Sequence, residues 1–253
     1  MDYPDRPVSI KKDGVPIIIY LQFHSTGFMN KGMKGNNPIP SGLLMLVFLA
    51  GAGLFLALKI LMPQFQGSFA VKAVPALSLT LAAYMTTHLN FSERLGVLVG
   101  TFFCAVGDVL LDIDRVRLFV PGLAAFLVAH IGFLTFFGLR RVPANPRRIW
   151  IIPVLLFSLI MAVIMLPRLG SLLIPVLAYL VVITLMTALA IFSDVRAMAA
   201  LGAVIFMLSD AMIAWAKFVS PGQPSTSLSL PVYFAGLFLL GFGILGSQPK
   251  RGQ

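Results

Sequence analysis

Most of this chain is a succession of apolar runs, each about as long as the roughly 20 residues that carry an α-helix across the hydrocarbon core of a bilayer. They predict eight spanning helices, over residues 42–63, 69–87, 94–113, 117–139, 149–167, 171–192, 197–218 and 230–246. The segments between them are short and carry Gly, Pro or charge, as in Ser220-Pro221-Gly222-Gln223-Pro224,. With 58% hydrophobic and only 11% charged residues, the chain is far more apolar than a soluble domain, about half of whose residues are apolar. The expected fold is therefore all-α, a polytopic membrane bundle of about eight transmembrane helices. It forms one domain over 41–247, between a polar tail at 1–40 and a short basic tail at 248–253. No internal repeat is evident, which counts against an inverted-repeat transporter.

Residues 1–40 combine Pro, Gly, Asn and scattered charges without a helical period, and function is not expected to depend on them,. Their one apolar stretch, Val15 to Phe23, is short and lacks a small-residue cleavage motif, so the first spanning helix is expected to act as the signal,.

The net charge of +10 would suggest nucleic acid in a soluble protein. Here the basic residues cluster between apolar runs, at the level of lipid headgroups, so membrane lipids are the expected partners and nucleic acid is not. If the helices alternate, thirteen of the 19 basic residues fall on the side that holds both chain ends. That asymmetry predicts cytoplasmic termini, with the bacterial inner (cell) membrane as the expected location. The second helix carries Lys72, Pro75 and several Ser/Thr. Were it not to span, every later loop would change side. The single cysteine, Cys104, lies within an apolar run, which rules out an intramolecular disulfide and a thiolate-built metal site,.

The nine acidic residues decide where chemistry belongs. Asp2, Asp5 and Asp13 are in the tail, Glu93 and Asp194 are at helix ends, and Asp114 closes a helix near the headgroups. Asp108 and Asp210 lie well inside apolar runs, where a carboxylate is costly and normally has a partner or a task. Each stands 14 positions after an arginine that starts its helix, Arg94 and Arg196, so both lie about 21 Å from the same membrane face. They can face each other. Asp112 is one turn further along the face of Asp108. Lys72, about 24 Å up its helix, and His130, about 15 Å up, fall in the same band.

Simpler readings stand beside these. Lys72 can form a static ion pair with one aspartate, Asp112 like Asp114 can simply end a helix at the headgroups, His130 can be a packed core residue, and the Ser209 hydroxyl can bond its own or a neighbouring helix. With His24, His88 and His130 as the histidines, the inventory speaks against a three-histidine zinc site, and no G-x-S-x-G motif supports a serine triad. No metal and no cofactor is expected. Two carboxylates in a low-dielectric site remain, one held protonated and the other ionised, as a general acid and a general base.

Gly107-Asp108-Val109-Leu110-Leu111, then Pro121-Gly122-Leu123 through Ala129-His130, then Phe206-Met207-Leu208-Ser209-Asp210 resemble the YhhN-like lysoplasmalogenase family. Val71-Lys72-Ala73-Val74-Pro75 looks like that family's Lys-Pro segment, and the motifs run in family order from about residue 44 to 246. The resemblance implies an eight-helix membrane hydrolase. Its substrate would be a lysophospholipid, a lysoplasmalogen whose vinyl ether is cleaved to a fatty aldehyde and glycerophosphoethanolamine or glycerophosphocholine. It also implies that Asp108 and Asp210 are the essential acids with Lys72 and His130 around them; Asp112 and Ser209 are supporting candidates by position. Phe133 and the Tyr233-Phe234-Ala235-Gly236 segment depart from the family pattern, which bears on substrate detail more than on fold. Two other classes stay open: a proton-coupled transporter or permease using the carboxylates as a relay, and a lipid-binding or assembly protein whose ion pair only fixes packing.

Overall fold

A computed structural model describes residues 41–142, 145–220 and 226–248. The tail expected over 1–40, and the basic tail from residue 249 onward, lie outside the described residues. The chain runs through α1 (Ser41–Leu61), α2 (Ser68–Met85), α3 (Phe91–Ile113), α4 (Phe119–Leu139), α5 (Ile151–Met165), α6 (Leu173–Phe192), α7 (Ala197–Phe218) and α8 (Thr226–Leu245). Tight 3-10 turns at Pro146–Trp150, Leu166–Arg168 and Gly170–Leu172 lengthen α5 and α6. Among the described residues eight helices are long and apolar enough to cross a membrane. The chain is an all-α, integral, multi-pass membrane protein.

The helix expected to be weakest, α2, runs for 18 residues, about 27 Å, close to the roughly 30 Å of a hydrocarbon core. Pro75 lies inside it, and Ser78 Oγ donates to the Pro75 carbonyl at 2.7 Å. α3 starts three residues before the expected Arg94 because Asn90 and Glu93 form a capping box. The Asn90 side chain accepts from the Glu93 N–H at 2.9 Å, and Glu93 Oε2 accepts from the Asn90 N–H at 3.2 Å,.

Association of helices in lipid rests on close packing, which small residues permit. α3 packs most extensively on α4 and α7 on α8; α2 joins α1 to α3, and α4 meets α6. A Cβ on Gly202 would come within 2.2 Å of the Leu240 backbone nitrogen across the α7–α8 contact. A Cβ on Gly132 would come within 2.7 Å of the Gly100 nitrogen across α3–α4. Gly202→Ala should therefore push α8 outward at an overpacking cost of about 1–3 kcal/mol, lowering the thermal midpoint of the purified protein. An unchanged midpoint would refute the contact.

At one end of the bundle the α4–α5 and α6–α7 connections are knitted together. Arg140, only 1% exposed, donates from Nε to Asp194 Oδ1 at 2.6 Å and from Nη2 to the Gln248 carbonyl at 2.6 Å, and its Nη1 lies 3.6 Å from Glu93 Oε1. Arg147 donates to the Ser193 and Val195 carbonyls at 2.7 and 3.0 Å. Two of the four arginines in this connection thus bind protein groups, although the sequence reads all four as headgroup charges. α5 lies at the margin, packed on α6 and only lightly on α7.

Candidate functional site

The five ionisable groups expected at one depth form three clusters. In the first, α2 and α3 bring Lys72 Nζ to 3.2 Å from Asp108 Oδ1, with both side chains at 4% exposure or less. The Tyr233 hydroxyl, from α8, donates to Asp108 Oδ2 at 2.6 Å. The Lys72 ammonium also lies 5.8 Å from the centre of the Phe55 ring, within reach of a cation–π attraction. This carboxylate is enclosed and fully engaged.

The second cluster is built around Asp210 of α7. The Tyr179 hydroxyl, from α6, donates to Asp210 Oδ2, and His130 Nε2, from α4, stands 3.8 Å from the same oxygen. His130 Nδ1 lies 2.5 Å from the Phe126 carbonyl one turn earlier. A carbonyl only accepts, so Nδ1 carries a proton and Nε2 is the ring nitrogen turned toward Asp210, beyond hydrogen-bond distance,.

Phe206 stands between these clusters, its ring centre 5.3 Å from that of Tyr233 and 5.0 Å from that of His130. Phe126 closes the same wall at 6.0 Å from Tyr233. Asp108 and Asp210 are therefore neighbours across an aromatic partition, with no hydrogen bond between them.

Asp112 belongs to a third cluster. Its Oδ1 is 2.8 Å from Lys59 Nζ, and its Oδ2 accepts from Ser68 Oγ at 2.5 Å, which fastens the ends of α1, α2 and α3 together. Ser209 Oγ donates to the Ser229 carbonyl at 3.2 Å, a bond between α7 and α8.

Access separates the two central acids. Asp210 lines a small apolar cavity of about 80 Å3, whose other walls include Tyr179, Phe126, Phe157, Met161 and Met207. Asp108 and Lys72 are not among its walls. One carboxylate, with a tyrosine hydroxyl beside it, thus meets a space otherwise suited to hydrocarbon.

Fold and site together define a multi-pass membrane protein with an acid at the wall of an apolar cavity. The sequence pattern of the YhhN family matches residues 67–244, and the chain belongs to that family. It is similar to the lysoplasmalogenases of Mycobacterium bovis and Mycobacterium tuberculosis, each 31% identical over 182 residues, covering 69% of this chain and 66% of theirs. It is also similar to lysoplasmalogenase TMEM86B of Homo sapiens, 28% identical over 182 residues, covering 72% of this chain and 76% of that one. The match spans about two thirds of the length of the mycobacterial relatives. No solved structure matches significantly.

Tyr179, Lys59 and Ser68 are site or cluster residues that sequence reasoning passed over, and Tyr233 entered it only as a departure from the family pattern. For Tyr179 a signal existed. Tyr179 lies 13 positions before Phe192, the end of α6, or about 20 Å along the helix, which is the depth of Asp210.

Proposed function

We propose that this protein is a lysoplasmalogenase-like hydrolase that splits the vinyl ether bond of a lysoplasmalogen by aspartate acid–base catalysis. The observation that carries this reading is the position of Asp210, hydrogen-bonded by Tyr179 at the wall of an apolar cavity. A vinyl ether is hydrolysed by protonation of its β-carbon, which moves the π electrons onto that new C–H bond and leaves an oxocarbenium ion. Asp210 in its acid form donates that proton. The resulting carboxylate faces the cation and accepts a proton from water as the water oxygen bonds to the cationic carbon. The hemiacetal then collapses, the glycerol oxygen leaves with a proton, and the fatty aldehyde is released. Asp210 ends the cycle protonated, so the reaction needs only substrate and water.

Tyr179 orients Asp210 through its hydrogen bond and follows its change of charge, with His130 beside them. The Asp108–Lys72 pair, behind Phe206, holds a fixed charge arrangement next to the reacting centre. In this reading the protein sits in a bacterial cell membrane with the bundle face that carries Arg140 toward the cytoplasm.

Incubating the purified protein with a lysoplasmalogen and with its saturated alkyl ether analogue tests the proposal. Aldehyde release from the vinyl ether alone supports it, and no release from either sinks it. Tyr179→Phe removes one hydrogen bond to a group that is charged during turnover, typically worth about 1.5–3 kcal/mol. The expected result is a fall in kcat of about tenfold or more with little change in KM.

A further inference from the structure

A second apolar space adjoins the cavity that holds Asp210. Along α7 the walls of the first include Phe218, Ala214, Asp210 and Met207, and those of the second, of about 500 Å3, include Met207, Val204, Ala200 and Ala197. Along α5 the walls run in the same way from Met165 and Met161 through Phe157 to Val154 and Trp150. Phe157 and Met207 line both spaces. Residues three and four apart share a helix face, so α5 and α7 present two unbroken stripes along one lightly packed seam.

The two ends of this seam differ. Lys217 follows Asp210 by seven positions, two turns further along the same face, or about 10.5 Å. Its Nζ sits 4.0 Å from the centre of the Phe119 ring, itself a wall of the cavity. Among the described residues no carboxylate pairs with Lys217. At the other end Arg147, a wall of the second space, is engaged through Nε and Nη2 by Asn145 and two carbonyls, while its Nη1 has no partner among the described residues. That end lies about 20 Å from Asp210, the rise of the 13 residues from Ala197.

An extended chain advances about 1.2 Å per bond. In a 1-alkenyl lysophospholipid seven bonds separate the vinyl β-carbon from phosphorus, or about 8 Å at that advance. This spacing fits the Lys217 end and not the Arg147 end. A hydrocarbon chain of about 14 further carbons covers about 17 Å, which fits within the stretch of α7 from Asp210 to Ala197.

Resting on the hydrolase reading, we propose that the lysolipid lies along α7 with its phosphate on Lys217, its ether at Asp210 and its hydrocarbon chain in the α5–α7 seam. A saturated 1-alkyl lysophospholipid has no vinyl ether to protonate, so its binding reports on this placement independently of turnover. Binding of labelled 1-alkyl lysophosphatidylcholine and of the phosphate-free 1-alkylglycerol is measured on the full chain in nanodiscs. Lys217→Ala should weaken the phospholipid about tenfold or more and the alkylglycerol less than about twofold, and Lys217→Arg should restore most of the loss. A lysine that only reaches toward bulk headgroups would leave both affinities unchanged, and that result, or equal weakening of both ligands, overturns the assignment. Val204→Trp fills the seam and should weaken a sixteen-carbon ligand while sparing an eight-carbon one. Equal effects on the two would overturn the chain placement. Wild-type binding without aldehyde release would sink the hydrolase reading alone.

Discussion

Asp210→Asn is expected to fold, to bind a saturated lysolipid as the unaltered protein does, and to release aldehyde about 10^2–10^4-fold more slowly, the range that positioned general acids contribute. The amide keeps the shape of the carboxyl group and still accepts from Tyr179, but it cannot deliver a proton to carbon. The size of the loss separates this role from a structural one. A group that only packed the cavity would cost little in kcat, and activity within a few fold of normal would remove Asp210 from the chemistry. Aldehyde release measured at saturating lysoplasmalogen is the direct readout, because binding changes then drop out.

The second large effect concerns Lys72. Replacing it by Met leaves Asp108 in an enclosed site with only Tyr233 as partner, and breaking one half of a buried pair costs about 3–5 kcal/mol. Lys72→Met should therefore lose much of its yield and thermal stability. Lys72→Met combined with Asp108→Asn removes both charges and should recover most of that stability. Aldehyde release should nevertheless stay low in the double variant, because the fixed charge beside the reacting centre has gone. Full activity with recovered stability would reduce Asp108 to a packing role.

These two acids stood out because depth in a membrane helix is a count. Asp108 and Asp210, each 14 residues after an arginine near a helix start, were expected at one level, and Phe206 packs against a ring from the cluster of each. The spans themselves were equally readable, since lipid demands long apolar runs and the boundaries follow. Counting gives level but not azimuth. It placed the two carboxylates side by side without the aromatic partition of Phe126 and Phe206, whose rings look like ordinary core in the sequence. It grouped Asp112 with them, although Lys59 and Ser68 draw that side chain to the ends of α1 and α2. The tyrosines escaped for a different reason. A phenol carries no charge, so composition does not single out Tyr179 and Tyr233, and only the depth count made for the acids, extended to neutral residues, brings Tyr179 to the level of Asp210.

Arg140 has a practical bearing on how the protein is handled. Its guanidinium joins Glu93 at the start of α3, Asp194 between α6 and α7, and the carbonyl of Gln248 beyond α8. The last of these is a main-chain group, so no side-chain substitution replaces it. A fluorescent or affinity fusion joined at Leu245 would strip the cation of that acceptor and unsettle three helix ends at once, whereas a junction placed after Gln248 keeps the clasp closed.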